Sequence, residues 1–367
     1  MNILLQVLRE PVYMADLPLT RWDDLLRFAR HARLLGTLHA LAERHGLLHN
    51  LPQQPRDWLI ADRIRSDHLQ TLVRNELAQV IRALGDGAPP IVLLKGAAYM
   101  AAGLPTAAGR RIADLDLLIP AEALDRTEAL LQAAGWRTQA LTDYDHYYYR
   151  KLSHELPPLT HPARGVEVDI HHNLTPPVSR LRPDAGALLD AAIPLEQAPW
   201  PFGRCQVLSP TDMVLHSATH LLFNDELRGG LRDVYDLHRL CLHFAAVDPN
   251  FWTSLDARAT ELGLQRPLWY ALRALERLLA TPVPERQAKR VRASSPNPAL
   301  DKFMAQLIDR VLAPRDPNRL SAPISGWLLF VRSHWVRMPP TLLVTHLTRK
   351  WIGRFRNNPP YSSPQPR

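Results

Sequence analysis

The stretch from Ile112 to Pro120, IADLDLLIP, restricts the fold more than any other part of the chain. On an extended segment alternate side chains face opposite sides, which puts Asp114 and Asp116 on one face and Leu115 and Leu117 on the other. The leucines call for burial in a sheet. A carboxylate pair beside them is costly unless something positive lies between the two groups. The spacing therefore predicts a buried strand, closed by Pro120, whose acidic face holds a cation.

The neighbouring sequence builds a sheet around this strand. Two long stretches before residue 85, LTRWDDLLRFARHARLLGTLHALAERHGLL and RDWLIADRIRSDHLQTLVRNELAQVIRALG, place apolar residues at three- and four-residue spacing and read as helices. After the turn cluster GDGAPP the period changes, and IVLLKGAAYMAAG reads as strand, turn and helix. AEALDRTEALLQAAG follows the acidic strand as an amphipathic helix ended by glycine, and WRTQAL, HYYYRKL and GVEVDIHHNL read as further strands. From Thr211 to about Leu312 the pattern is helical again, with Ser209-Pro210 as a start signal. The expectation is an α+β fold, a small mixed sheet with flanking helices and a mostly helical C-terminal region. Its divisions are an N-terminal helical region over 1–85, the sheet-containing core over 86–208, a helical domain over 209–320 and a basic, Trp-containing segment over 321–367.

Composition narrows the function classes. The chain has 367 residues and a formal net charge of +8, yet residues 321–367 alone carry seven Lys and Arg and no acid, among them Arg332, Arg337, Arg349 and Lys350. The remainder is nearly neutral, which disfavours a general nucleic-acid binder and directs an acidic partner or an anionic membrane surface to that last segment. Its tryptophans, Trp327, Trp335 and Trp351, interleave with the cations, and the plainer reading is a pair of core-packing helices around Pro339-Pro340. The tail RFRNNPPYSSPQPR reads as disordered. Two cysteines, Cys205 and Cys241, support neither a disulfide framework nor a cysteine-based zinc site. No apolar run reaches the roughly 18 residues of a membrane span. MNILLQVLRE lacks the basic start and cleavage site of a secretion signal, and the expected compartment is the cytoplasm.

The acidic pair has a third candidate partner. In GVEVDIHHNL, Val166, Val168 and Ile170 alternate with Glu167, Asp169 and His171, giving one apolar and one ionisable face. Beside the first strand, Asp169 supplies a third carboxylate, and three such groups suit Mg2+ (or Mn2+) chemistry at phosphorus. Lys95 and Gly96, in the turn between strand and helix, offer a mobile positive charge and an approachable backbone for phosphate. Arg110 and Arg111 either reach a triphosphate or form structural ion pairs. His216 and His220 stand four apart on a helix, a spacing that can chelate a metal, but the glutamate of a metalloprotease helix is absent and a packed helix face is the simpler reading.

Taken in order, LLKG, GRRIADLDLLI, an amphipathic helix ending AAGW, and VEVDIHHNL resemble the uncharacterised nucleotidyltransferase family of the DNA polymerase beta-like nucleotidyltransferase superfamily. The resemblance spans roughly residues 20 to 280. It implies a nucleotidyltransferase core and transfer of a nucleoside monophosphate from a nucleoside triphosphate to an acceptor hydroxyl, with release of pyrophosphate. By motif, Asp114 and Asp116 match the metal-binding pair, Asp169 the third acid, His171 the histidine of the following Asp-x-His, and Lys95, Gly96 and Arg110 the phosphate-binding positions. A histidine of HSATH with Arg232, Asp233 and Asp236 is implied to lie on the helical half facing the cleft. The chain departs from the superfamily at Gly96-Ala97, where Gly-Ser or Gly-Gly is usual, and in the sixteen residues between Ala97 and Asp114. The alternative is a catalytically silent member serving as a binding or scaffold protein.

Overall fold

The change of period near residue 85 marks the passage from helices to sheet in the computed structural model, which describes residues 2–223, 227, 230–287, 297–314, 323–339 and 341–343. Four helices precede it: α1 (Ile3–Arg9), α2 (Leu19–His31), α3 (Leu35–Arg44) and α4 (Gln53–Leu84). The core then runs β1 (Val92–Leu93), α5 (Lys95–Ala101), β2 (Asp114–Leu118), α6 (Leu124–Ala133), β3 (Arg137–Thr138), α7 (Asp143–Lys151), β4 (Leu159–Thr160), β5 (Glu167–His171), α8 (Ala185–Asp190), β6 (Ile193–Pro194) and β7 (Gln206–Val207). The helices α9 (Pro210–Phe223), α10 (Leu231–Val247), α11 (Phe251–Glu261), α12 (Gln265–Leu279), α13 (Pro298–Leu312) and α14 (Pro323–Arg337) follow.

The strands form one seven-stranded sheet in the order β3-β4-β5-β2-β1-β7-β6. It is mixed: β2 pairs with β5 and β1 with β7 in parallel, and the other pairs are antiparallel. This is the α+β architecture that the sequence predicts. The acidic strand lies at the centre, where Leu115, Leu117, Val168 and Ile170 are buried in the common core. Ser209 caps α9 as its position suggested, its hydroxyl accepting from Asp212 N at 3.2 Å.

One element differs in type. HYYYRKL falls in helix α7 and not in a strand, although tyrosine favours sheets. Local capping overrides that preference: Thr142 accepts from Asp145 N, and the Asp145 carboxylate accepts from Thr142 N. Asp143 and Asp145 sit in the first turn and Arg150 and Lys151 in the last, complementing the helix dipole. Arg150 also pairs with Asp125 and Glu128 of α6.

At the C-terminal end α14 packs through Leu329 and Ser333, both buried, while Ile324, Trp327, Val331 and Trp335 on its other face are exposed. The segment thus packs on the core and still presents an apolar face. The disorder expected of RFRNNPPYSSPQPR, and the helix expected around Trp351, fall outside the described residues. Among the described residues no helix is long and apolar enough to cross a membrane.

The approach to β2 depends on a backbone contact that only glycine permits. Gly109 has φ +69°, and a Cβ there would lie 2.0 Å from the carbonyl oxygen of Gly36 in α3. Gly103 has a similar φ of +61° but open space around it. Gly103→Ala should cost about 1–2 kcal/mol from backbone strain alone. Gly109→Ala adds a steric clash and should cost about 3 kcal/mol or more. Urea unfolding of the two variants checks the difference; equal losses would show that the Gly36–Gly109 approach does not support the fold.

Candidate functional site

The carboxylate face is created by strand register. In the parallel β2–β5 pair Asp116 stands opposite Asp169, and Asp114 opposite Glu167. Directly paired residues share a face, so four acids line neighbouring positions on one side of the sheet. Asp116 is the innermost, 2% exposed, whereas Asp114 is exposed and Asp169 lies between these extremes. The structure therefore brings Asp114, Asp116 and Asp169 together as the sequence predicts, and adds Glu167.

Two side chains meet Asp116 at the same oxygen. Lys95 Nζ donates to Asp116 Oδ1 at 2.6 Å, and His171 Nε2 lies 3.1 Å from it. Burial alone would raise the Asp116 pKa, but Lys95 and His171 outweigh it and hold the carboxyl well below its ordinary range. The partners respond in the opposite sense. Burial opposes the charged forms of Lys95 and His171, yet the Asp116 carboxylate raises both, with Glu155 assisting at His171.

Asp169 behaves differently because, among the described residues, no cation hydrogen-bonds to it. Burial, and then the like charge of Asp116, push its carboxyl up to about 7. Glu167 is raised for the same reasons, burial first and then Asp114 and Asp116. An ionised acid beside one driven towards protonation is what a carboxylate pair becomes when it lacks a cation to share. The donor set of Asp114, Asp116 and Asp169, hard oxygen ligands on adjacent strands, fits a divalent ion of the magnesium class.

The turn after β1 brings Lys95 to this face in a constrained way. Lys95 has φ +44°, a conformation that costs a non-glycine residue about 1–2 kcal/mol. Gly96 follows because space beneath it is taken: a Cβ there would lie 2.2 Å from an Arg110 guanidinium nitrogen and 2.9 Å from Ile112. Arg110 itself is 5% exposed, with Nε 2.8 Å from Asp236 Oδ2 and its guanidinium over the Tyr99 ring. Thr106 holds the other Asp236 oxygen at 2.8 Å. Arg111 pairs with Asp62 of α4, whose carboxylate also accepts from Gly36 N. Both arginines thus adopt the structural-pair alternative, and Arg110 reaches the site only through the turn it supports.

His216 of α9 is buried and His220 half-buried. Burial, with Lys95 next, lowers His216 to about 3 and His220 well below its ordinary value. Arg232 donates to the Arg111 carbonyl at 3.1 Å, which joins α10 to the approach to β2.

Sequence reasoning missed His154 and Glu155. Glu155 Oε2 lies 3.4 Å from His171 Nδ1, on the opposite side of the ring from Asp116. No periodic pattern marks this segment; its only signal is the isolated bridge that places Glu155 against His171.

Residues 18–280 match the family described as "Uncharacterised nucleotidyltransferase", well over half of the chain. Comparison with curated proteins and with solved structures gave no match.

The raised Asp169 pKa has a stability consequence with a definite sign. The folded protein binds a proton at Asp169 up to pH about 7, while the unfolded chain releases it near about 4. Across that window the folded state holds more protons, so this group's contribution to stability falls as pH rises and levels off above the folded pKa. Asp169→Asn cannot ionise. With chelator present, the variant should gain on the wild type progressively over this window, as measured by urea unfolding at a series of pH values. A stability difference independent of pH would show that Asp169 titrates normally.

Proposed function

Because the chain belongs to the uncharacterised nucleotidyltransferase family, we propose that it transfers a nucleoside monophosphate from a nucleoside triphosphate to an acceptor hydroxyl, releasing pyrophosphate. The observation that carries this reading is the in-register pairing of Asp116 with Asp169, flanked by Asp114 and served by Lys95.

Asp114, Asp116 and Asp169 would hold Mg2+ or Mn2+. Such an ion, when bound, neutralises phosphate charge and favours ionisation of the attacking hydroxyl. The protein supplies the remaining functions. Asp169, on the strand beside Asp116, assists deprotonation by accepting the acceptor's hydroxyl proton. The acceptor oxygen then forms a bond to the α-phosphorus as the bond from that phosphorus to the departing pyrophosphate oxygen breaks. Lys95 has three donors and, among the described residues, only Asp116 as a hydrogen-bond partner, which leaves two for phosphate oxygens. The Gly96 backbone lies in the same turn, and Arg110 fixes that turn from beneath through Asp236.

A second reading has its own observation. Lys95 already compensates Asp116, and the turn carries Ala97 in place of a hydroxyl residue, an arrangement compatible with a catalytically silent binding or scaffold protein.

Incubation with α-labelled nucleoside triphosphates, Mg2+ and an extract of small-molecule and protein acceptors separates the two. Label should appear on an acceptor with stoichiometric pyrophosphate. Asp116→Asn should reduce the rate by about 10²–10³ or more. Lys95→Ala should weaken nucleotide binding by about tenfold, the effect of one charge-assisted contact. Nucleotide binding without transfer, unchanged by Asp116→Asn, would favour the silent reading; neither binding nor transfer would remove both nucleotide-based roles.

A further inference from the structure

Beside the acidic face lies a second group of metal-ligating side chains with different chemistry. The segment around Glu155 runs antiparallel to β5: His172 N donates to His154 O at 2.9 Å, and Leu156 N to Ile170 O at 2.8 Å. This pairing sets Glu155 directly opposite His171. Their side chains consequently meet, with His171 Nδ1 at 3.4 Å and His154 Nε2 at 4.0 Å from Glu155 Oε2. The two imidazole rings are 5.4 Å apart, centroid to centroid. One ligand atom from each residue lies within 4.8 Å of the other two.

We propose that His154, Glu155 and His171 form a binding site for a transition-metal dication of the zinc class, distinct from the carboxylate face of Asp114, Asp116 and Asp169.

Geometry supports the assignment. Bonds of about 2.0–2.1 Å at tetrahedral angles separate neighbouring ligand atoms by about 3.4 Å, close to the spacing of Glu155 and His171 and slightly less than that of Glu155 and His154. The third pair, His154 and His171, lies within 4.8 Å, so side-chain rotation alone would close the set. Two imidazoles and one carboxylate make up a ligand set known for zinc with an open fourth position. Imidazole selects zinc, nickel or copper over magnesium, whereas the neighbouring all-carboxylate face prefers the harder ion.

The surroundings support it independently. At His171, Nδ1 faces Glu155 while Nε2 lies 3.1 Å from Asp116 Oδ1. With Nδ1 as ligand, Nε2 carries the proton and donates it to Asp116, giving the carboxylate–histidine–metal arrangement that fixes ring orientation in metal sites. Asp116 is then a supporting acceptor for the zinc-class ion and not its ligand.

This inference does not rest on nucleotidyl transfer, because its readout is metal binding by the full-length protein. After treatment with chelator, the protein should take up one equivalent of Zn2+ in competition with a chromophoric chelator, with millimolar Mg2+ present throughout. Co2+ in place of Zn2+ should give the intense visible absorption of a four-coordinate ion. His154→Gln and Glu155→Gln should each weaken Zn2+ at least tenfold, while Asp169→Asn should leave it unchanged. Zn2+ should raise the thermal midpoint of the wild type and not of the two glutamine variants, whose midpoints without metal show that they are folded. Equal Zn2+ affinity in the wild type and both glutamine variants would overturn the proposal. Loss of Zn2+ binding in Asp169→Asn but not in His154→Gln would also overturn it, by placing the ion on the acidic face.

Discussion

The buried carboxylate of Asp116 is the group around which the rest of the site is arranged. At 2% exposure it cannot be left uncompensated, and it has two partners on one oxygen, the Lys95 ammonium from the turn after β1 and the His171 imidazole from the end of β5. Each partner has further consequences. Lys95 reaches Asp116 from a backbone with positive φ, so the turn geometry and the ion pair are coupled. His171 carries the interaction through its ring to Glu155. Asp169, with no hydrogen-bonded cation among the described residues, has its carboxyl pushed up to about 7 by burial and by Asp116. The ion pair, the bridging imidazole and the raised neighbouring acid therefore all follow from the burial of these carboxylates.

The two arginines ahead of the acidic strand anchor the sheet to both helical regions. Arg111 pairs with Asp62 of α4, and Arg110 with Asp236 of α10, more than a hundred residues away. Both ties converge on the residues that lead into β2. A shift of α10 would move Arg110, and Arg110 lies against Gly96. The helical half can in this way influence the turn at Lys95 and Gly96 without contributing a side chain to it. That arrangement gives Asp236 a positioning role, which HSATH and GGLRDVYDLHRL did not reveal as sequence patterns.

Legibility in the sequence followed the range of the interaction that decides each feature. The alternation in ADLDLL and VEVDIH revealed the two central strands and the shared face of Asp114, Asp116 and Asp169, since a period of two survives without tertiary information. The two-residue strands β3, β4, β6 and β7 are too short to show any period, and three of them went unread. The tyrosine run reads as strand by propensity, but Thr142 and Asp145, whose reciprocal capping begins the helix, override it. Glu155 could not be found locally; its meaning comes from standing opposite His171. The partners of Arg110 and Arg111 were equally hidden, because ion pairing between distant segments leaves no spacing to read.

The glycine of LKGAA illustrates how structure can change a residue's role without changing its importance. Read as a motif, Gly96 leaves room for an anion to approach the backbone. In the fold, the space on its Cα is occupied from within by Arg110 and Ile112, and any larger residue would displace the Arg110–Asp236 pair. Packing alone thus requires glycine here, and its presence says little about phosphate. Lys95 in the same turn accepts an unfavourable backbone conformation and is still only partly buried. That strain is maintained by the position its amino group must occupy against the buried Asp116 carboxylate.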